Sequence, residues 1–208
     1  MENKNYKKTI EAYRALGKKY IENAANINLH ALEDFMKLLP KAGRVLDAGC
    51  FGGRDSKKFA DAGFEVTGID LADVFLEEAR KYVPQAKFMK MDILEMDFEK
   101  NYFDGVLAQA VLLHLERGDV SRALKNFWRV LKPAGKIYVG VKEGKGSEMA
   151  ADKELAAGYE RYFTYFKKEE MENYMKEAGF KIKFCEFAPD YVGRDKKWII
   201  IWGEKSRD

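Results

Sequence analysis

The sequence predicts an α/β fold, a doubly wound and mostly parallel sheet with helices on both faces. Two observations predict it. From residue 44 onward, short β-branched or apolar runs alternate with longer segments of helical period, which is the pattern of such a sheet. The 208 residues are 47% hydrophobic and contain no low-complexity stretch, so we expect a single domain over 1–208 with a core of its own.

Seven segments have the composition and length of strands. They are residues 44–47, 65–70, 87–91, 103–108, 136–141, 181–187 and 198–202. The clearest helix covers about 120–131, with Asp119 as its N-cap, and Lys132-Pro-Ala-Gly135 ends it. A second helix covers about 167–178 and ends at Gly179, which adopts the left-handed conformation readily.

Two regions lie outside this alternation. Residues 1–41 are predicted to form an N-terminal cap of two helices, in which Tyr6, Tyr13 and Tyr20 recur every seven residues and share one side. The simplest interpretation of this stripe is packing against the core. Residues 143–166 are predicted to form a lid-like insertion, a loop and a helix, because an insertion of this length is usually functional or mobile.

Composition excludes several classes of protein. The longest apolar run, 198–202, is far too short for a bilayer span, and no secretion signal is visible. Cys50 and Cys185 lack Cys-x-x-Cys spacing, which favours a cytoplasmic setting. The basic pairs are scattered among acids, so no nucleic-acid partner is expected. The acidic cluster 92–97 has no histidine or cysteine beside it, so no metal is expected either.

The most informative motif is Val45-Leu-Asp-Ala-Gly-Cys-Phe-Gly-Gly-Arg-Asp55, an apolar strand that breaks into a glycine-rich turn and opens a helix. Glycines allow the main chain to approach a ligand closely, and a helix N-terminus offers unpaired N–H groups. By itself this turn indicates a nucleotide-binding site only moderately, because glycine-rich turns also occur for steric reasons.

Acidic residues at the next two strand ends make the prediction sharper. Asp70 ends the second strand, where a carboxylate accepts both hydroxyls of a ribose. Asp92 follows the third strand and is placed to accept a hydrogen bond from an adenine amino group, while Ile93 and Leu71 cover the faces of the ring. Together with Asp47, these acids predict a crevice for a nucleoside.

The order of the motifs resembles the class I S-adenosylmethionine (SAM) dependent methyltransferases. The resemblance runs through Asp47-x-Gly49-x-x-x-Gly53, Asp70, Met91-Asp92, Phe103-Asp104-Gly-Val106 and Leu131-Lys-Pro-Ala-Gly135-Lys-Ile-Tyr-Val139. It covers 44–202, and the tyrosine helix is similar to the cap of many small-molecule members. The resemblance implies a seven-stranded sheet whose last strand inserts antiparallel between its two predecessors. It also implies SAM as cofactor and S-adenosylhomocysteine (SAH) as product.

The resemblance assigns roles to matching positions. Asp47 and Gly49 would lie beside the methionine moiety, Asp70 at the ribose and Asp92 near adenine. Other residues predicted to contact the cofactor are Tyr13, Tyr20, Cys50, Phe51, Gly53, Arg54, Leu71, Ile93 and Gln109. Phe51 departs from the family, which usually has glycine there, so its ring either points away from the ligand, as we expect, or fills part of the pocket.

The acceptor side is less clearly defined. His114 is the best candidate for a general base, although a lone histidine near an apolar run is more often a packed structural residue. Arg54 would pair with the carboxylate of methionine or of an acceptor, or is simply an exposed arginine in the first turn of a helix. Arg161, Tyr162 and Tyr165 would form a lid over a flat or apolar acceptor, with Arg161 selecting negative charge, or would act as the hydrophobic staple of the next helix.

The predicted function is methyl transfer from SAM to an N, O or S atom of a small molecule, by a cytoplasmic monomer or homodimer. A SAM-binding protein without turnover is the first alternative. A nicotinamide-dependent oxidoreductase is disfavoured because Gly49-Cys-Phe-Gly52-Gly53-Arg lacks the Gly-x-Gly-x-x-Gly pattern. DNA and RNA substrates are disfavoured because no Asn-Pro-Pro-Tyr-like motif or paired catalytic cysteines are present. A protein acceptor stays open.

Overall fold

The computed structural model describes residues 4–24, 27–151, 159–191 and 196–207. Its main sheet has seven strands in the order β3-β2-β1-β4-β5-β9-β8. They are β1 Arg44–Ala48, β2 Glu65–Asp70, β3 Lys87–Lys90, β4 Phe103–Gln109, β5 Leu131–Lys142, β8 Phe180–Ala188 and β9 Trp198–Lys205. The helices that flank this sheet are α1 Lys4–Ala24, α2 Leu32–Lys37, α3 Arg54–Asp61, α4 Asp73–Tyr82, α5 Arg117–Val130 and α6 Lys168–Glu177.

The strand directions confirm the predicted topology. β1 pairs in parallel with β2 on one side and with β4 on the other, and β9 runs antiparallel between β5 and β8. β1 and β4 are buried along almost their whole length, as expected for central parallel strands covered on both faces. Because the strand order reverses at β1, a crevice opens beyond the carboxyl ends of β1 and β4.

Both helices that were predicted in the sheet region, α5 and α6, are present, but their ends differ from the predicted ends. α5 begins at Arg117, three residues before the predicted start, so Asp119 lies in its first turn and is not the N-cap. An acid in the first turn is still favourable, because it faces the positive end of the helix dipole. α6 lies within one residue of the prediction at each end, and the Glu170 carboxylate accepts the N–H of Lys167 at 3.3 Å.

The described residues of the 143–166 insertion form strands, and the predicted helix can lie only in the part that is outside the described ranges. The described part forms an antiparallel hairpin of β6 Ser147–Ala151 and β7 Glu160–Thr164, and residues 152–158 lie outside the described ranges. The run Arg161-Tyr-Phe-Thr-Tyr-Phe166 is rich in aromatic residues, which favour strands. The N-terminal cap contains the two predicted helices, but Gly17, at φ 51° and ψ −143°, kinks α1. Of the described helices, none combines the length and apolar character of a membrane span.

Lys205 fastens the end of β9 to the rest of the sheet from a buried position. Its side chain is 2% exposed, and its ammonium donates hydrogen bonds to Asn101 Oδ1 at 2.8 Å, Trp128 O at 2.9 Å and Leu131 O at 2.8 Å. The same ammonium lies 3.9 Å from the centroid of the Trp128 ring. These carbonyls belong to the junction of α5 and β5, where the helical hydrogen-bond pattern ends.

Replacing Lys205 with methionine should lower the free energy of unfolding by about 2–4 kcal/mol, because it leaves buried acceptors without a donor. Urea unfolding measures this change. Lys181→Met is the matched control, since Lys181 is an exposed lysine on the neighbouring strand β8, and it should change stability by less than about 0.5 kcal/mol. Equal effects of the two substitutions would contradict the anchoring role of Lys205.

Candidate functional site

A tight turn joins β1 to α3 and is fixed to the end of β2. The N–H groups of Gly49 and Cys50 donate to Ile69 O at 2.8 and 2.9 Å, and the N–H of Phe51 donates to Asp70 Oδ2 at 3.0 Å. The other oxygen of Asp70 accepts the N–H of Ala72 at 2.9 Å. The Asp70 carboxylate therefore links the glycine-rich turn to the chain that enters α4.

Positive φ angles give this turn its shape. Gly49, Phe51 and Gly53 have φ of 76°, 53° and 83°. A Cβ atom on Gly49 would lie 2.9 Å from Cγ2 of Val111, closer than such contacts allow. Phe51 occupies a left-handed conformation that glycine adopts without strain, which is a physical reason for the glycine usual at this position in the resembling family.

A cavity of about 220 Å³ lies beside the turn, at the carboxyl ends of the strands. It is lined by most of the residues predicted from the sequence: Tyr13, Tyr20, Asp47, Gly49, Cys50, Phe51, Arg54, Asp70, Leu71, Ile93, Gln109 and His114. Five predicted residues are not part of the lining: Gly53, Asp92, Arg161, Tyr162 and Tyr165.

The sequence analysis missed further lining residues. They are Tyr6, Thr9, Ile10, Ile27, Leu29, Asp55, Ile69, Phe75, Met91, Ala110, Val111, Tyr191 and Trp198. The lining residues in α1 could have been predicted from the sequence, because Tyr6, Thr9, Ile10 and Tyr13 have the spacing of one helix face. No local sequence pattern predicts that Tyr191 and Trp198 line the cavity, because they reach it only through the folding of the last two strands of the sheet.

Four aromatic rings form one wall of this cavity. The Phe51 ring lies 4.4 Å from that of Phe75 and 5.4 Å from that of Tyr20, measured between centroids. Tyr13 completes the group at 5.8 Å from Phe75 and 5.6 Å from Tyr20. Phe51 thus lines the cavity with its ring packed in this aromatic group, and the expectation that the ring points away from the ligand stays a prediction.

Buried acids line the cavity. Burial, reinforced by the neighbouring charge of Asp55, raises the pKa of Asp47 to about 7, although the Ser56 hydroxyl donates to its Oδ2 at 2.6 Å. Burial also raises the pKa of Asp70, against the effect of its backbone hydrogen bonds. Arg54 Nε donates to Asp55 Oδ1 at 2.9 Å. The Arg54 guanidinium is thus paired within the protein and is not the exposed first-turn arginine considered above.

His114 is held in one neutral form by two hydrogen bonds. Its Nδ1 lies 2.7 Å from Tyr162 O, which only accepts, so Nδ1 carries the proton. Its Nε2 then accepts the Tyr13 hydroxyl at 2.7 Å. Burial, together with the positive charges of Arg161 and Lys142, lowers the pKa of His114 to about 3. As a direct base His114 is thus poorly placed, because Tyr13 already occupies its only lone pair.

The β6–β7 hairpin fastens α1 over the cavity from outside. Arg161 Nη1 donates to the hydroxyls of Tyr13 at 3.1 Å and Tyr20 at 2.7 Å, and the Tyr162 N–H donates to Thr9 Oγ1 at 2.8 Å. The guanidinium carbon of Arg161 lies 5.1 Å and 5.0 Å from the centroids of the two tyrosine rings. The predicted lid residues therefore lie behind the wall of the cavity and hold it in position.

Two further predictions concern Asp92 and Tyr165. Asp92 Oδ1 accepts the Tyr6 hydroxyl at 3.1 Å and the Leu94 N–H at 2.8 Å, which ties it to α1. The Tyr165 hydroxyl donates to Glu148 Oε1 at 2.6 Å, within the hairpin. Neither residue lines the cavity, so the adenine contact of Asp92 and the lid contact of Tyr165 stay predictions. Within the described ranges, no group of acidic, histidine or cysteine side chains is arranged to hold a metal ion.

Comparison with known proteins points to one family. A family model described as a methyltransferase domain matches residues 46–139. The putative methyltransferase YqeM of Bacillus subtilis is 36% identical over 108 residues, which are 50% of this chain and 44% of that protein. The SAM-dependent Diels-Alderase iccD of Talaromyces variabilis is 36% identical over 107 residues, 48% of this chain and 36% of that protein. The chain spans less than half the length of these relatives.

Solved structures share the fold. A SAM-dependent methyltransferase from Methanosarcina mazei has a TM-score of 0.79 at 22% identity, covering 88% of this chain and 100% of that one. A 1,6-didemethyltoxoflavin-N1-methyltransferase from Burkholderia thailandensis, with its substrate and SAH bound, has a TM-score of 0.73 at 21% identity. That match covers 97% of this chain and 87% of the other.

Gly49→Ala should destabilise the protein by about 2–4 kcal/mol, since it combines a strained positive φ with the contact to Val111. Gly63→Ala is the control, because Gly63 has a φ of 86° but no atom within 4 Å of an added Cβ. It should cost only about 1–2 kcal/mol. Urea unfolding compares the two, and the added substitution Val111→Ala should restore part of the loss in the Gly49 variant. Equal costs without such restoration would show that close packing at the turn is unimportant.

Proposed function

We propose that this chain is a class I SAM-dependent methyltransferase, which transfers a methyl group from SAM to a small-molecule acceptor. One observation carries the proposal. The Asp70 carboxylate ends β2, holds the glycine-rich turn through Phe51 and lines the cavity. Each of its oxygens accepts a backbone N–H and retains lone pairs for further donors, as binding to the hydroxyls of a ribose requires.

The residues around the cavity fit this cofactor. Asp47 and Gly49 would hold its methionine end, Asp70 its ribose, and Leu71 and Ile93 the faces of its adenine. Gln109 also lines the cavity, although its Oε1 is buried against Gly140 and has no hydrogen-bond donor among the described residues. The cofactor would supply a methyl group on a positively charged sulfur, which is electrophilic without further activation.

The protein itself would orient the cofactor and the acceptor, supply charged groups and exclude water. The aromatic wall and α1 shield the cavity from water, which strengthens electrostatic interactions inside it. The carboxylates of Asp47 and Asp70 favour a ligand with positive charge. Aromatic lining from Tyr191 and Trp198 suits a small, flat acceptor, and the neighbour with bound 1,6-didemethyltoxoflavin supports an acceptor of this kind. A cytoplasmic setting is supported by the two free cysteines. The expectation of a monomer or homodimer is kept.

A SAM-dependent cyclase is the second candidate function. The similarity to the Diels-Alderase iccD favours it, since such a protein binds the same cofactor on the same fold. A methyltransferase converts SAM to SAH in proportion to the methylated product. A cyclase holds SAM without consuming it, so SAH formation during turnover separates the two.

Titration calorimetry with SAM, SAH and NAD tests the proposed site. SAM and SAH should bind and NAD should not, and Asp70→Asn should weaken SAM binding by about 10- to 100-fold, because it removes a charged acceptor for ribose hydroxyls. Asp73→Asn is the control: Asp73 is an exposed acid paired with Lys90 at 2.7 Å, three residues from Asp70, and the substitution should leave affinity unchanged. Binding of NAD alone, or equal affinity in the Asp70 variant, would exclude the assignment.

Asp47 should make SAM affinity depend on pH. Its carboxyl is protonated below its pKa of about 7 in the free protein, whereas the ammonium group of SAM favours the ionised form. Affinity should therefore rise as pH increases from about 5 and level off near 7, and binding near pH 6 should release a proton. Without ligand, the same raised pKa makes the fold less stable as pH rises from about 4 to 7, because the native state retains a proton that the unfolded chain loses.

Calorimetry in buffers of different ionisation enthalpy measures the released proton. The control is Asp47→Asn, which should bind SAM with an affinity that no longer changes between about pH 5 and 7. A pH profile that survives this substitution would assign the proton to another group.

A further inference from the structure

The Tyr13 hydroxyl contacts two buried side chains, His114 and Arg161. A guanidinium has no lone pair to offer to a ligand, and the lone pair of His114 Nε2 already accepts the Tyr13 hydroxyl. Tyr13 lines the cavity, its hydroxyl lies 2.7 Å from His114 Nε2, and Arg161 Nη1 lies 3.1 Å from the same oxygen. The imidazole is also packed edge-on against the Tyr13 ring, at 5.3 Å between centroids. Three segments that are distant in the sequence thus converge on one oxygen atom.

Hydrogen-bond roles fix the direction in which a proton can move. Because Tyr162 O can only accept, Nδ1 of His114 donates to it and Nε2 is left as an acceptor. The Tyr13 proton therefore points to Nε2. Arg161 only donates, so it takes up one lone pair of the Tyr13 oxygen. Neither partner uses the second lone pair of this oxygen, and Tyr13 lines the cavity.

We propose that Tyr13 is a catalytic residue that receives the proton of the acceptor, with His114 taking the phenol proton in turn, and that the acceptor is a hydroxyl compound. This inference rests on the proposed methyl transfer and names the substrate class for it. His114 and Arg161 are positioning residues in this scheme, since they act on the acceptor only through Tyr13.

In this step the methyl group moves to the acceptor and the acceptor proton moves to the protein. A lone pair of the acceptor oxygen forms a bond to the methyl carbon while the bond from that carbon to sulfur breaks and its electron pair returns to sulfur. The acceptor proton moves to the Tyr13 oxygen as the Tyr13 proton moves to His114 Nε2. The products are a methyl ether, a neutral thioether and an imidazolium whose Nδ1–H remains bonded to Tyr162 O, and the imidazolium later returns its proton to solvent through Tyr13.

A phenol that donates to a neutral imidazole suits an acceptor that must lose a proton as it is methylated, as a hydroxyl must. Burial and nearby positive charge lower the pKa of His114 to about 3, so its imidazole is a weak base. A hydroxyl oxygen that gains a methyl group becomes an oxonium, a much stronger acid than this imidazolium, and it can release its proton along the relay. A methylated alkylamine is a far weaker acid, so the relay would not deprotonate it.

Arg161 holds the relay in position. Its hydrogen bonds to the hydroxyls of Tyr13 and Tyr20 fix both phenols. Arg161 is 5% exposed and its guanidinium carbon lies 5.3 Å from the Phe163 ring centroid, so the cation is held in a fixed place on the hairpin.

Nitrogen-15 spectroscopy tests the relay without any acceptor. The chain has two histidines, so selective labelling gives a simple spectrum in which the partly exposed His30 is an internal reference. We expect neutral His114 with the proton on Nδ1. In Tyr13→Phe the Nε2 resonance should move to the position of an imidazole nitrogen without a donor, while His30 stays unchanged. A proton on Nε2 in the wild-type protein would overturn the relay.

Matched acceptors test the chemistry. Transfer of labelled methyl from SAM is measured with 4-ethylphenol, 4-ethylaniline and 4-ethylbenzoate, which share a ring and differ in the nucleophile. We expect preference for the phenol over the aniline. Tyr13→Phe should lower kcat for 4-ethylphenol by about 100-fold or more, and should lower it much less for 4-ethylbenzoate, which has no proton to lose at neutral pH.

Two controls separate the relay from structural damage. Tyr174→Phe removes a phenol hydroxyl on α6, away from the cavity, and should leave all rates unchanged. His114→Asn retains a donor for Tyr162 O but removes the acceptor of the phenol proton, so it should lower kcat for the phenol while the KM for acceptor and the affinity for SAM change little.

The outcomes distinguish this inference from the function on which it rests. Equal losses with phenol and benzoate in Tyr13→Phe, or a wild-type preference for the aniline, would overturn the relay while methyl transfer stands. Absence of SAM binding in calorimetry would overturn the proposed function, and the relay as a catalytic device with it.

Discussion

The site depends on one carboxylate, that of Asp70 at the end of β2. It accepts the N–H of Phe51 on one oxygen and the N–H of Ala72 on the other, and thereby joins the glycine-rich turn to the start of α4. Phe51 is held in a left-handed conformation, which costs about 1–2 kcal/mol for a residue with a Cβ. The hydrogen bond to Asp70 offsets part of that cost, so the bond that shapes the turn also keeps the acid beside the cavity.

The cavity is closed by groups that meet only in the folded chain. Tyr13 and His114 are 101 positions apart, and Arg161 lies 148 positions from Tyr13. The hairpin supplies Arg161, α1 supplies Tyr13 and Tyr20, and the turn after β4 supplies His114. Because each group is satisfied by the others, movement of α1 would expose a buried cation and an imidazole together. These contacts therefore hold the cap and the hairpin together.

Acidic and aromatic side chains line the same cavity. Asp47 and Asp70 lie beside the glycine-rich turn, where a cationic cofactor would be stabilised. Tyr13, Tyr191 and Trp198 line the cavity as well. In the proposed reaction positive charge on sulfur disappears and a proton leaves the acceptor, so the acids would bind the cofactor through its charge and Tyr13 would take up the proton.

The sequence by itself determined the sheet, the glycine-rich turn and the position of Asp70, because strand periodicity and turn glycines are local properties of the chain. All seven strand segments match the structure, and the acids Asp47 and Asp70 face one cavity. It did not determine the hairpin at 143–166, the place of the Phe51 ring or the partners of His114. Those depend on contacts between segments far apart in the chain, where burial and hydrogen-bond geometry, and not local propensity, decide the outcome.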